Sequence, residues 1–460
     1  MKTLLNQNIT KLQNEIKGRV LLPGSSEYEE ARQIWNAMIT KWPSIIVRCA
    51  DADDVPRAIS FARENKLEMS VRGAGHNIAG NALCDSGLTI DLSGMKNVRI
   101  DAKNLRAHVG PGATLGDFDM AAQAYGLATP VGINSTTGIS GLTLGGGFGW
   151  LTRKHGLTID NLLSADVITA DGQKITASEN HQEDLFWAIR GGGGNFGVVT
   201  QFEFQLHPVG PEVLAGLIVF PFSQAKQVLS RYRGFVDSAP LDLNVWAIIR
   251  HAPPLPFLPA ETHGKMVMVL AVFYAGPMDR GLESVQTLRR FGDVMGEQVG
   301  PLPYVQWQKA FDALLTPGAR NYWKSHNFNK LDDGALELMV QYGDRMPTQQ
   351  CELFLGLISG VANDVPADAT AYSPRDAKFV LNVHGRWDAK NQDQQCVAWA
   401  REFFRASAQY ASSGAYVNFM TEDESTRVES AYGVNYARLR QLKRRYDPEN
   451  LFHFNQNIKP

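Results

Sequence analysis

Ser70-Val71-Arg72-Gly73-Ala74-Gly75-His76-Asn77 is the stretch on which the reading of the fold turns. Met69 to Arg72 has the pattern of a short strand, and it runs directly into a glycine turn. Glycines at 73 and 75 let two backbone N–H groups point the same way, an anion-binding arrangement, and Arg72 adds a fixed charge suited to a phosphate. His76 stands at the exit of the turn; taken alone, a histidine there is more often a surface or satisfied side chain than a functional one. Just upstream, Ser44 to Arg48 (SIIVR) reads as a strand, and Asp53 or Asp54 caps a helix with Pro56 in its first turn. Val55, Ala58, Ile59 and Ala62 fall at i, i+3, i+4 and i+7, so the unit is strand–helix–strand.

Glycine is the outlier of the composition. Of 42 glycines in 460 residues, 23 lie between Gly73 and Gly197, a surplus that marks turns or backbone approaching something closely. The densest block is Gly138-Ile-Ser-Gly-Leu-Thr-Leu-Gly-Gly-Gly-Phe-Gly-Trp150. It is not a dinucleotide-binding fingerprint, because Trp150 stands where the third glycine is needed and Thr152 to Gly156 continues no apolar helix. It also lacks the G-K-[ST] ending of a P-loop. Taken alone, the alternative for this block is a glycine-rich turn packed close to neighbouring backbone. A third block, Gly191-Gly192-Gly193-Gly194-Asn195-Phe196-Gly197-Val198-Val199, makes a poor linker but a good path beside a flat ligand. Three such blocks in one domain point to one extended ligand with phosphates and rings.

Outward from this region the chain changes character. Up to about residue 206 it shows short strands and tight turns: 88–92, 98–100, 106–109, 163–169 and 197–206, with helical patches at 115–125 and 185–190. Beyond His207-Pro208 glycine thins and longer strands with helices appear, at 214–220, 228–237, 244–250, 265–274, 352–358 and 379–387. Residues 252–264 hold four prolines and read as a loop, and 422–444 reads as a helix. The class is α+β, with a second, sheet-rich domain inserted at 207–410. A net charge of −2 argues against a nucleic-acid partner, and no run approaches a membrane span. Cys49, Cys84, Cys351 and Cys396 show no CxxC spacing, so neither a zinc site nor a disulfide framework is expected. With no apolar leader in Met1 to Val20, cytoplasm is the expected location; the oligomeric state is left open.

The order of motifs carries a resemblance. Arg72-Gly-x-Gly-His76-Asn77, Asp91-Leu92, Gly110-Pro-Gly112, the 138–149 block, Gly156-Leu-x-x-Asp160-Asn161, Arg190 to Val199 and Tyr446-Asp-Pro-x-Asn450-x-Phe452-x-x-Asn455-x-Asn457-Ile458 together resemble the berberine-bridge-enzyme-like FAD-linked oxidases of the vanillyl-alcohol-oxidase superfamily, bacterial members especially. The resemblance spans essentially the whole chain. It implies a two-part FAD-binding domain, residues 1–206 and 411–460, around an antiparallel-sheet substrate domain at 207–410 covered by helices. The cofactor-binding positions it implies are Arg72, Gly73, Ala74, Gly75, His76, Asn77, Asn134, Thr137, Gly138, Gly141, Gly145, Gly149, Asn161, Val199, Asn455 and Asn457.

Residue by residue, His76 occupies the position of the family's flavin-bearing histidine, although Ala74 replaces one glycine of that motif. Some relatives attach the flavin a second time through a cysteine; here Asn134 stands at that place, so a single covalent bond to FAD, through His76, is expected. Thr137 replaces the Val or Leu that tracks with oxygen reactivity, and its Val-like shape permits oxygen access. Tyr416-Val417-Asn418-Phe419 is similar to a strand that carries the family's proton-accepting tyrosine. Tyr416, with Asn418 beside it, is the catalytic candidate, provided a cation or donor lowers a phenol whose ordinary pKa is about 10. An ordinary strand aromatic is the alternative. Asn382 and His384 share one face of the 378–387 pattern, lining a pocket or meeting solvent, and Glu352 opens another candidate strand. Asn455 and Asn457 are expected near the isoalloxazine, on a segment that reads otherwise as a C-terminal strand. The expected function is an oxidase that moves hydride from an alcohol or amine C–H to flavin N5 and electrons to O2, giving hydrogen peroxide. A dehydrogenase of the same fold, or a flavin-binding protein with a decayed pocket, is the alternative.

Overall fold

Met69–Arg72 is a strand, β3, and three others assemble with it: β1 (Arg19–Leu21), β2 (Ile45–Arg48) and β4 (Leu88–Asp91). The computed structural model describes residues 2–412 and 414–460. The order is β1-β2-β4-β3, with β2 and β3 both parallel to β4. The Asp54–Glu64 helix links β2 to β3 and buries Val55, Ala58, Ile59 and Ala62, the four positions its periodicity predicts. Asp54 works outside its helix. Its carboxylate accepts backbone N–H groups of Lys17, Gly18 and Ala50 at 2.7–2.9 Å, which pins the N-terminal segment to the sheet. Parallel strands leave their carboxyl ends open to a ligand, and the 73–77 turn leaves β3 at that end.

A second, antiparallel sheet holds β5 (Val98–Asp101), β6 (Arg106–Val109), β8 (Leu162–Ile168), β9 (Lys174–Ser178) and β10 (Val198–Gln205) in the order β5-β6-β10-β8-β9. Between its parts, β7 (Leu127–Ala128) pairs with β11 (His207–Pro208). The third sheet has seven antiparallel strands: β12 (Glu212–Pro221), β13 (Leu243–His251), β14 (Met266–Tyr274), β15 (Gly296–Pro303), β16 (Arg320–Phe328), β17 (Glu352–Leu357) and β18 (Phe379–Trp387). Their order is β15-β12-β14-β13-β17-β18-β16, and helices Ala225–Val236, Met278–Arg289, Asp333–Gly343 and Asp393–Ser407 pack on the sheet. The architecture is the expected α+β, with an antiparallel sheet backed by helices. Among the described residues no helix is long and apolar enough to cross a membrane.

The register of this sheet aligns polar residues on one face. Arg250 pairs with Glu352, Glu352 with His384 and His384 with Trp323, which forms one row across four strands. The next row on the same face runs Ile248, Phe354, Asn382, Ser325. Residues between them, such as Ile249, Leu353, Leu381 and Val383, are buried on the other face, where Ile249 meets the Asp333–Gly343 helix.

The C-terminal region departs from expectation in three places. Tyr416–Phe419 joins no sheet; Val417–Phe419 is a 3-10 turn, because the Asn418 amide folds back onto Leu142 O and Tyr416 Oη instead of pointing out of a strand. The helix expected at 422–444 is broken. A capping box of Thr421 and Glu424 opens a 3-10 turn at Glu422–Arg427, and Gly433, with φ of 51°, ends the Val428–Tyr432 helix before Tyr436–Tyr446 begins. Residues 447–460 form no strand; Asp447 accepts the Leu451 and Phe452 N–H groups and turns the chain inward. Ala415, Val417, Leu439, Leu442 and Ile458 share one core with Leu185, Phe196 and Phe202, so the chain end packs against the second sheet.

The Leu115–Gln123 helix contacts the Tyr304–Gln308 helix of the third-sheet region through a buried carboxyl. Gln308 Nε2 donates to Asp119 Oδ2 at 2.9 Å and to Gly132 O at 3.2 Å. Burial pushes Asp119 up to about 7, with Gln308 and Lys309 opposing weakly. A carboxyl raised in the folded state favours folding below its unfolded pKa near ~4, and that contribution is lost as pH rises through about 7. Asp119→Asn is therefore expected to stabilise the protein by about 2–4 kcal/mol at pH 8 and not at pH 4, read from urea melts at the two pH values.

Candidate active site

A cavity of about 330 Å³ opens where the three sheets meet. Its walls are the 73–77 turn, the 132–144 segment, glycines 193, 194 and 197 with Val198 and Val199, the polar face of the third sheet, and segments 416–419 and 452–456. One continuous space thus touches all three glycine blocks and the chain end.

The turn after β3 requires its glycine at 75. Its φ is +74°, and a Cβ there would sit 3.0 Å from Arg72 Nε. Ala74 is accommodated where the motif has glycine because its Cβ lies over Gly138, whose own hypothetical Cβ would meet Ala74 at 2.9 Å. Gly73, Ala74, Gly75, His76 and Asn77 all face the cavity. Arg72 does not. Its guanidinium bonds to Ala31 O and lies 3.9 Å from Asp91, which is fully buried and also holds Arg48. The charge read as a phosphate ligand instead braces the turn from behind.

His76 is half-buried, with its ring stacked on Trp35 at 4.8 Å and Nε2 2.9 Å from Thr136 Oγ1. Desolvation lowers its pKa to about 3, so the imidazole is neutral at physiological pH. Asn134, Thr137, Gly138 and Gly141 line the same side. Gly138 is the N-cap of the Ile139–Leu144 helix. Val199 and Asn455 also line the cavity. Four other expected positions stand behind its wall. Gly145 leaves space for Asn418, whose Oδ1 would be 2.2 Å from a Cβ there, and Gly149 packs on Val131 O. Asn161 donates to His155 O and Leu157 O and meets His207 Nε2 at 2.6 Å, an internal tie. Asn457 is not among the lining residues, and its Oδ1 is buried without a partner.

Tyr416 faces the cavity with its ring edge-on to Phe148 and Phe419, each at 4.9 Å. Its hydroxyl accepts from Asn418 Nδ2 at 3.0 Å. Burial nevertheless pushes the phenol up to about 12, outweighing Asn418 and the Gly147 backbone. Burial thus works against the lowering that a proton-accepting tyrosine needs, and among the described residues no cation offsets it.

Opposite the glycine blocks stand Arg250, Glu352, His384 and Asn382, flanked by Trp246, Trp323 and Phe354. The shared face of Asn382 and His384 thus lines the cavity, and Glu352 joins it. Burial opposes ionisation of Glu352, but Arg250, bonded to it at 2.8 Å, with His384 and Arg386, holds it down at about 2. His384 faces Glu352 Oε1 at 3.3 Å and Asn321 Oδ1 at 3.1 Å, so both ring nitrogens meet acceptors. Arg250, Trp35, Trp323 and Thr136 were not singled out from sequence. Arg250 follows the apolar run 245–249 near the end of β13, and only the pairing register reveals which face it shares.

Comparison with known proteins is consistent across sequence and structure. Residues 43–178 match the family described as FAD binding domain, and residues 415–459 match the family described as berberine and berberine like. An FAD-linked oxidoreductase of Dictyostelium discoideum is 31% identical, covering 99% of this chain and 97% of its own. The (R)-6-hydroxynicotine oxidase of Paenarthrobacter nicotinovorans is 32% identical over 97% of both chains. The solved 6-hydroxy-D-nicotine oxidase of Arthrobacter nicotinovorans superposes with a TM-score of 0.85 at 30% identity, covering 97% of this chain and 98% of that one.

Proposed function

The chain belongs to the FAD-linked oxidoreductases that join an FAD-binding domain to a berberine-like C-terminal segment, and on that premise we propose that it is an oxidase holding its flavin covalently on His76 and acting on a ring-bearing amine or alcohol. The observation that carries this reading is His76: a neutral imidazole, at the mouth of a glycine turn, facing a cavity that all three glycine blocks share. The residues fit the group. Backbone at 73–77 and 193–197 forms a cradle for the dinucleotide, and buried polar atoms without partners, Asn134 Nδ2 and Asn455 Oδ1, belong to residues that line the same space. None of the four cysteines lines it, which supports a single attachment. In this reading residues 1–206 and 411–460 hold the flavin and 207–410 shape the substrate pocket.

When bound, FAD would supply the hydride acceptor, and dioxygen would take the two electrons together with the transferred hydrogen's proton and the substrate's O–H or N–H proton, leaving as hydrogen peroxide. The protein's part is to bind, orient and exclude water. Trp246, Trp323 and Phe354 offer aromatic walls for a ring, and Glu352, Arg250 and His384 fix a polar group at its edge. With its lone pair engaged by Asn418, Tyr416 keeps its own proton to donate toward a substrate nitrogen or oxygen. Tyr416→Phe should then lower kcat/KM about tenfold, the equivalent of one hydrogen bond, with no change in the flavin spectrum. An unchanged kcat/KM for every substrate would remove Tyr416 from the site chemistry. Thr137, close to valine in shape, lines the cavity and supports access for oxygen.

A peroxide-coupled screen over cyclic amines, alcohols and oligosaccharides tests the reading. Peroxide with a ring-bearing amine or alcohol is expected. Turnover seen only with an artificial dye would make the protein a dehydrogenase instead.

A further inference from the structure

Around His76 the hydrogen bonds have a direction that determines which imidazole nitrogen is free. Asn134 Oδ1 accepts the backbone N–H of Thr136 at 2.9 Å, and a backbone N–H only donates, so the amide orientation is fixed with its oxygen toward Thr136. The Thr136 hydroxyl lies 2.6 Å from that same oxygen and must spend its single proton there. What Thr136 Oγ1 presents to His76 Nε2, 2.9 Å away, is therefore a lone pair. Nε2 carries the proton, and Nδ1 is bare; among the described residues it has no hydrogen-bond partner. The loop is held from outside as well. Ser135, between the two, donates its N–H to Asp312 Oδ1 at 2.9 Å and its hydroxyl to Oδ2.

We propose that Asn134 and Thr136 are positioning residues for flavin attachment: they lock His76 as the Nε2–H tautomer and so direct Nδ1 to the flavin. This rests on the reading of His76 as the covalent site. The bond formed joins Nδ1 to the 8α carbon of the flavin. One C–H of that carbon and the N–H of the imidazole are broken, and two electrons pass to dioxygen, which takes both protons and becomes hydrogen peroxide. The now bare Nε2 then accepts from Thr136, whose hydroxyl rotates away from Asn134. The residue at 134 thus has an assignment of its own, as the acceptor that orients the relay.

The test uses the full chain, purified free of flavin from riboflavin-starved cells, as wild type and as two variants, Thr136→Val and Thr136→Ser. Thr136→Val keeps the shape and removes the acceptor, a loss of about 1.4 kcal/mol in orienting free energy, or about tenfold in rate. Incubated with added FAD in air, it should convert bound flavin to acid-stable flavin about tenfold more slowly than the wild type, while Thr136→Ser stays within about twofold. The visible spectrum of flavin retained before acid treatment reports whether each variant is folded. Independently of any variant, the flavinyl peptide from the wild type should be the Nδ1-linked isomer by NMR. An Nε2-linked peptide, or wild-type conversion in Thr136→Val, overturns the relay and leaves His76 as the site. A wild type with no acid-stable flavin overturns the attachment itself, and the relay with it.

Discussion

Asp447→Ala is expected to cost about 5 kcal/mol of stability and to loosen the chain end from the cavity. Lys443 and Asp447 have side chains with no exposed surface, and their charges meet at 2.6 Å. Lys443 also donates to Asn195 O and Phe452 O, and Asp447 accepts the N–H groups of Leu451 and Phe452. Removing the carboxylate leaves a buried ammonium uncompensated, worth about 3–5 kcal/mol, and orphans two backbone donors besides. These bonds hold the segment that brings Asn455 and Gln456 to the cavity wall. Urea melts should show the loss, and weaker flavin retention should accompany it. A second change, Lys443→Met, removes the stranded charge and should recover part of the stability. A loss below about 1 kcal/mol would mean that this pair is not the anchor its geometry describes.

His76→Ala should abolish acid-stable flavin. Wild-type protein precipitated with acid should remain yellow, and the variant should release all its colour to the supernatant. The effect reaches turnover also. A flavin joined to an imidazole loses electron density to it and becomes a better electron acceptor, so the variant loaded with free FAD should reduce more slowly with any accepted substrate. The stack on Trp35 and the bond to Thr136 leave the imidazole no other role in packing the core, so stability should change little. Retained colour in the variant would move the attachment elsewhere.

How much of this was legible in the sequence depends on the kind of signal. Backbone requirements are local, and each of the glycine blocks at 73–75, 138–149 and 191–197 brings glycines to one cavity, with the glycines at 145–147, 149, 191 and 192 packed behind its wall. Side-chain roles that depend on distant partners were not legible. Arg72 beside two glycines reads as a phosphate ligand until Asp91, 19 positions away, is seen to hold it. Asn161 follows the family pattern yet closes a turn against His207. Alternation placed Asn382 and His384 on one face; only strand order shows that β18 is interior and that this face meets the cavity. Tyr416 was read as a strand residue, and the fold of Asn418 onto Leu142 forbids the strand. The His76–Thr136–Asn134 relay crosses 60 positions and needs bond directions, which no spacing encodes.

The central claim, one flavin on one histidine of a working oxidase, is tested most directly by the intact mass of the acid-denatured holoprotein. The account predicts a single species at the chain mass plus one FAD, with the increment on the peptide that contains His76. The bare chain mass with all FAD released, or an increment on any other peptide, would contradict it.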